Sequence, residues 1–206
     1  MKKSIFTSKV FCIGYIAIAF VYGLILPFCW GNNPASELGT LSLLCEDPDK
    51  KIFFWIWGIL TSGSIIANTQ LLYSKYNIKS KVSNFFCILS FIGVCVVALT
   101  LGHSIEDWNP KRIAHWVATG LFIAFTVIPL LLPFIKHRKE NKNFKIFALC
   151  TTLILMTFVV IFVVVGKSAL MEMIPIALIE IFLFTVNFTK LFKAQPLTAN
   201  KEEAVK

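Results

Sequence analysis

Six stretches of about twenty mostly apolar residues run through this chain, at roughly 10–30, 52–73, 84–102, 114–135, 144–166 and 169–191. A helix advances about 1.5 Å per residue, so about twenty residues are needed to cross a hydrocarbon core of roughly 30 Å. In hydrocarbon every backbone N–H and C=O must find its partner inside the protein, which leaves helices or a closed barrel. A barrel strand would show as about ten residues of alternating apolar and polar character, and no such alternation occurs. The expected fold class is therefore all-α, a polytopic membrane protein built as a six transmembrane helix bundle. The composition agrees: the chain is 57% hydrophobic with a mean hydropathy of +0.76, where soluble domains run nearer 45–50% apolar.

The connections are short, so residues 1–193 read as one transmembrane domain, followed by a disordered tail at 194–206, "AQPLTANKEEAVK". Span one follows Met-Lys-Lys. Its apolar run is longer than that of a signal peptide and no small-residue cleavage site follows cleanly, so a retained signal anchor is expected.

The net charge is +9, yet no basic stripe with interleaved aromatics lies outside the apolar runs, which excludes nucleic acid as a partner. The charges instead mark topology. Fifteen of the 20 Lys and Arg residues fall in the N-terminus, the second and fourth connections and the tail; five fall in the other connections. Basic residues are retained in the cytoplasm, so both termini are expected there, with the cell membrane as the host. The basic run 136–145 reads either as plain topogenic charge or as a contact for anionic inositol lipids. Trp30, Trp55, Trp57, Trp108 and Trp116 fall at the outer ends of spans and read as headgroup-level anchors; Tyr73 and Tyr76 mark the inner end of span two.

Cys29 and Cys45 both lie on the outer side, where oxidation is permitted, and a disulfide between them is expected. There is no Cys-x-x-Cys and no Cys/His zinc spacing, and no cofactor is implied. Gly14, Ala19 and Gly23 offer span one small surfaces for close helix packing. Thr61, Ser64 and Asn68 form a polar stripe at helical spacing on span two, read as interhelical glue or as a binding surface. Asn109-Pro110 reads as the start of a helix. Pro129 and Pro133 in span four, and Pro175 in span six, should bend their helices.

Two acids, Glu172 and Glu180, lie inside span six. A carboxylate in hydrocarbon is costly and must be paired, protonated or watered. Glu180 sits roughly 16 Å from the outer end of its helix, at the depth of Ser64, and is expected to point inward and hydrogen-bond the polar stripe. Glu172 is shallower, near His115 at the start of span four. The connection "LGHSIEDWNPKRIAHW" adds His103 and Asp107. His103, Asp107, His115 and Glu172 could converge to bind zinc or to act as general acid and base. The alternative is an ordinary solvated loop, since no H-E-x-x-H motif or nucleophile elbow is present.

Three stretches carry a resemblance. "NPASELGT" supplies Pro34, Ser36, Glu37 and Gly39 in the first outer loop. "IFFWIWGILTSGSIIANTQLLYSKYNI" is an aromatic-rich second span ending in a Tyr-and-basic run. "IAHWVATGLFIAF" opens span four with His115, Ala118 and Phe125. In these stretches the chain resembles the six-helix DRAM/Sfk family (damage-regulated autophagy modulators and relatives) and its bacterial relatives. It departs from the pattern with Glu37 where the family has Asp, and with Ile181 where Trp usually follows the last-span acid. The resemblance implies a six-span bundle with cytoplasmic termini, and it groups Ser36, Glu37, His115 and Glu180 as one outer-facing constellation.

The expected function is non-catalytic: binding of membrane lipid, or of another membrane protein, to modulate membrane organisation. The alternatives are a lipid-modifying hydrolase or transferase using the outer His/acid cluster, and a small transporter with Glu180 as a proton or cation site. The sequence identifies no catalytic residue and no metal ligand.

Overall fold

The computed structural model describes residues 8–28, 41, 49–100, 110–139, 142–166 and 168–192. Among these there is no strand, and six helices account for the fold: α1 (Lys9–Ile25), α2 (Lys51–Tyr76), α3 (Lys81–Leu99), α4 (Pro110–Lys136), α5 (Lys142–Val165) and α6 (Ala169–Phe188). All six are long and apolar enough to cross a membrane. Their outward surface fits that setting: Leu99, Val163 and Val164 are each more than 70% exposed, and a chain in water rarely leaves a continuous apolar surface of this kind uncovered.

Local chemistry sets the helix ends. α1 gives way to a single 3₁₀ turn, Leu26–Phe28, that contains Pro27. Asn77 ends α2 in the left-handed region at φ 54°, and Ile78 N–H closes the turn onto the Tyr73 carbonyl at 2.9 Å. Ser80 caps α3 by accepting from Ser83 N–H at 3.1 Å, and Ser168 caps α6 by accepting from Met171 N–H at 3.3 Å. Pro110 occupies the first position of α4, as its missing N–H favours.

Helices α2, α3, α4, α5 and α6 pack in sequence as a closed ring, since α2 also touches α6, and α1 lies outside against α2 and α6. Two apolar clusters mark the two ends of the bundle. The upper one joins Leu26, Leu41, Phe54, Trp57, Val97, Ala118 and Ala169. The lower one joins Tyr76, Leu130, Phe134, Phe144, Phe147, Leu183 and Val186. Of the described basic positions, Lys9, Lys75, Lys79, Lys81, Lys136, Arg138, Lys139, Lys142, Lys145 and Lys190 belong to the lower end, and Lys50, Lys51, Lys111 and Arg112 to the upper.

Lipid is as apolar as a leucine core, so close packing and interhelical hydrogen bonds decide which helices associate. Gly93 lets α3 approach the α4 backbone: a Cβ there would stand 3.3 Å from Phe122 Cα. Ser90 and Thr126 join the same two helices through hydroxyls 2.6 Å apart. Gln70 Nε2 ties α2 to Asn84 Oδ1 of α3 at 3.0 Å. Tyr73 on α2 donates its hydroxyl to the Pro129 carbonyl of α4, and Lys75 donates to the Val186 carbonyl, one of the last four of α6.

Two expectations are corrected. Gly14 is exposed and a Cβ there meets nothing within 4 Å, so Ala19 and Gly23, both buried, form the packing surface of α1 without it. Trp57 is only 6% exposed and its indole nitrogen packs on Gly23; it belongs to the core and not to a headgroup belt. Tyr73 and Tyr76 mark the inner end of α2 as expected, and both are buried there.

Candidate functional site

The starts of α4 and α6 both lie at the upper end of the ring, with Ala118 and Ala169 in the upper cluster. His115 lies about one turn and a half into α4, and Glu172 lies in the first turn of α6. Both border one central cavity, walled by α2 through α6 and not by α1. Its walls include Phe54 and Trp57 from α2, Val97 from α3, Phe122 from α4, Phe158 from α5 and Ile176 from α6. The cavity volume is about 100 Å³, several times the roughly 10–15 Å³ that one water occupies on the same measure.

Four lining residues are polar: His115, Thr119, Thr126 and Glu172. The two threonines are already committed. Thr119 donates to the His115 carbonyl at 2.9 Å, and Thr126 donates to the Phe122 carbonyl at 2.8 Å while meeting Ser90. His115 and Glu172 are the ionisable residues of the lining.

His115 Nδ1 stands 3.4 Å from the Val97 carbonyl. A carbonyl only accepts, so in this contact Nδ1 is the donor. Glu172 is half-buried, and its Oε2 accepts the Leu41 backbone N–H at 2.8 Å. Leu41 itself is 1% exposed and packs into the upper cluster. A residue of the first connection is thus pinned to α6 beside the cavity.

The sequence-derived set is only partly brought together. His115 and Glu172 share the cavity. Glu180 is 2% exposed, two turns below Glu172 on the same face of α6, and Ser64 of α2 stands beside its carboxyl. Glu180 thus points inward at the polar stripe as expected, with Ser64 within reach of its carboxyl, while Glu180 Oε1, Ser64 Oγ and Thr61 Oγ1 lack a hydrogen-bond partner of ordinary geometry. Asn68 does act as glue, donating to the Ser64 carbonyl at 3.0 Å and to the Cys12 carbonyl of α1 at 3.4 Å. Ser36, Glu37, His103 and Asp107 lie outside the described residues, as do Cys29 and Cys45. Among the described residues no three His, Cys, Asp or Glu side chains stand together as a metal site would need.

Several participants were not singled out from the sequence. Asn187 donates to the Asn68 carbonyl at 2.9 Å and completes a tie among α1, α2 and α6. It lies seven residues beyond Glu180, so the same helical spacing that picked out the α2 stripe would have found it. Leu41 carries no such signal, since an isolated leucine in a loop has no period to read. No family model, curated protein or solved structure matches the chain.

Proposed function

We propose that this chain is a non-catalytic multi-pass membrane protein that binds a lipid, with part of an apolar chain in the central cavity and a polar group at His115 and Glu172. The observation that carries the reading is the contrast within one cavity. Its lining is almost wholly apolar, and its two ionisable residues, His115 and Glu172, border it from the upper parts of α4 and α6. Apolar cavities of this kind stay dry and take hydrocarbon in preference to water. At about 100 Å³ the space suits a segment of a chain and not an entire lipid.

The orientation belongs to the same proposal. The described bases are concentrated at the lower end, which supports a cytoplasmic lower end with both termini there, in the cell membrane. The cavity would then open toward the outer half of the bilayer. The resemblance to the DRAM/Sfk family is consistent with this reading and stands as a proposal beside it.

A second reading, a lipid-modifying hydrolase or transferase, draws on the fact that a histidine and a carboxyl share one cavity. One experiment separates the two. Native mass spectrometry of the protein released from mild detergent is expected to show retained lipid mass. Thr119→Trp, which fills the cavity, is expected to lose it. Bare wild-type protein, or equal retention by Thr119→Trp, would sink the cavity reading. Conversion of the bound lipid over time, stopped by His115→Ala, would replace binding with catalysis.

A further inference from the structure

Beside the lower part of the cavity, the facing surfaces of α2 and α6 carry five buried side-chain oxygens with no hydrogen-bond partner of ordinary geometry. They are Thr61 Oγ1, Ser64 Oγ and Asn68 Oδ1 on α2, and Glu180 Oε1 and Asn187 Oδ1 on α6. None of these residues is more than 5% exposed. Native proteins leave few buried polar atoms unsatisfied, and each one asks for a cause. Five on one helix pair is a concentration.

The chemistry of the leftovers is uniform. Both amide nitrogens are used: Asn68 Nδ2 on the Ser64 and Cys12 carbonyls, and Asn187 Nδ2 on the Asn68 carbonyl. What remains is oxygen only, from two hydroxyls, two amide carbonyls and one carboxyl. Lys75, three turns further along α2, is spent on the Val186 carbonyl at the end of α6. The cluster has acceptors in excess and one potential negative charge.

We infer that Thr61, Ser64 and Glu180, with Asn68 and Asn187 beneath them, form a binding site for one alkali cation. Hard cations take oxygen ligands, whereas transition metals favour nitrogen and sulfur. A single carboxylate balances a single positive charge. A divalent ion would leave a net charge buried in hydrocarbon, which is costly. The depth is that of ion sites between membrane helices: Glu180 lies eleven residues into α6, about 16 Å from its upper end. The cavity reaches this depth, since Ile65 and Ile179, which line it, are the chain neighbours of Ser64 and Glu180.

The test uses the full-length protein, purified in detergent free of added lipid, so that its outcome does not depend on the cavity reading. Thermal unfolding is followed in sodium chloride and in choline chloride at equal ionic strength, alongside equilibrium binding of radioactive sodium. Binding to the native state alone raises the unfolding temperature by mass action. Sodium is expected to raise it saturably by several degrees over choline, with one ion bound per chain. Glu180→Gln is expected to abolish both effects. Ser64→Ala, a small change that leaves the helix intact, is expected to shift the sodium midpoint upward by about tenfold or more, the range for losing even an outer partner of a metal site. Identical unfolding in sodium and choline would overturn the assignment and leave the oxygens to bridging water. So would a sodium dependence unchanged in Ser64→Ala, which decides the matter even if Glu180→Gln does not fold.

Discussion

The Tyr73 hydroxyl of α2 donates to the Pro129 carbonyl of α4 because Pro133, four residues further along α4, has no N–H to offer it. Within a helix that carbonyl would be satisfied by residue 133. In a membrane span an orphaned carbonyl has no water to turn to. The prolines of span four were expected to bend it; their clearer effect is to expose a carbonyl that α2 then captures. Tyr73→Phe is expected to cost about 1 kcal/mol, in the range of interhelical hydrogen bonds in membranes. In a Pro133→Ala background the helix supplies its own donor, and the cost of Tyr73→Phe should fall close to zero. Equal costs in the two backgrounds, measured by reversible unfolding in mixed micelles, would disprove the pairing.

The glycines separate by what stands opposite them. Gly93→Ala drives a methyl to 3.3 Å from both Cα and Cβ of Phe122, and neither atom can swing away. A loss of about 1–3 kcal/mol is expected. Gly14→Ala meets nothing within 4 Å and should be neutral or stabilise by up to about 1 kcal/mol through helix propensity. Comparing the two unfolding temperatures checks both; a Gly93→Ala variant as stable as wild type would refute the close α3–α4 approach.

Glu172 holds Leu41 by its backbone N–H, so the variant to watch is Glu172→Ala and the readout is the Leu41 amide. Removing the acceptor is expected to cost about 1 kcal/mol or more and to speed hydrogen exchange at that amide, with amides in the lower half of α2 unchanged. Exchange at Leu41 as slow as in wild type would show that burial alone protects it.

The proposed orientation predicts which end a membrane-impermeant thiol reagent reaches. With native cysteines replaced, Lys139→Cys is expected to react only after the cell is opened, and Lys51→Cys in intact cells. The reverse pattern would invert the topology. The same orientation places Cys29 and Cys45 in an oxidising compartment, so in the otherwise native chain both should resist alkylation until a reductant is added.

The number of spans, their rough limits, and the division of charge between two ends were legible in the sequence. So was the helix start at Pro110. These are local matters. Span length follows from the thickness of hydrocarbon, and caps and prolines act on their own backbone. The polar stripe Thr61, Ser64 and Asn68 was legible as well, because in an apolar helix a polar residue stands out at any position.

Which face of each span turns inward was decided by the tertiary structure. In water an apolar face announces the core. In a span every face is apolar, because lipid and core ask for the same side chains. Nothing local therefore told Gly14, which faces outward, from Gly93, which α4 approaches, or marked Trp57 as a cavity wall instead of a headgroup anchor. Nor did sequence spacing pair Tyr73 with Pro129 or Leu41 with Glu172, contacts that span 56 and 131 residues. Those pairings, and the cavity and oxygen cluster they surround, exist only once six helices have found their neighbours by shape and by the hydrogen bonds that hydrocarbon will not supply.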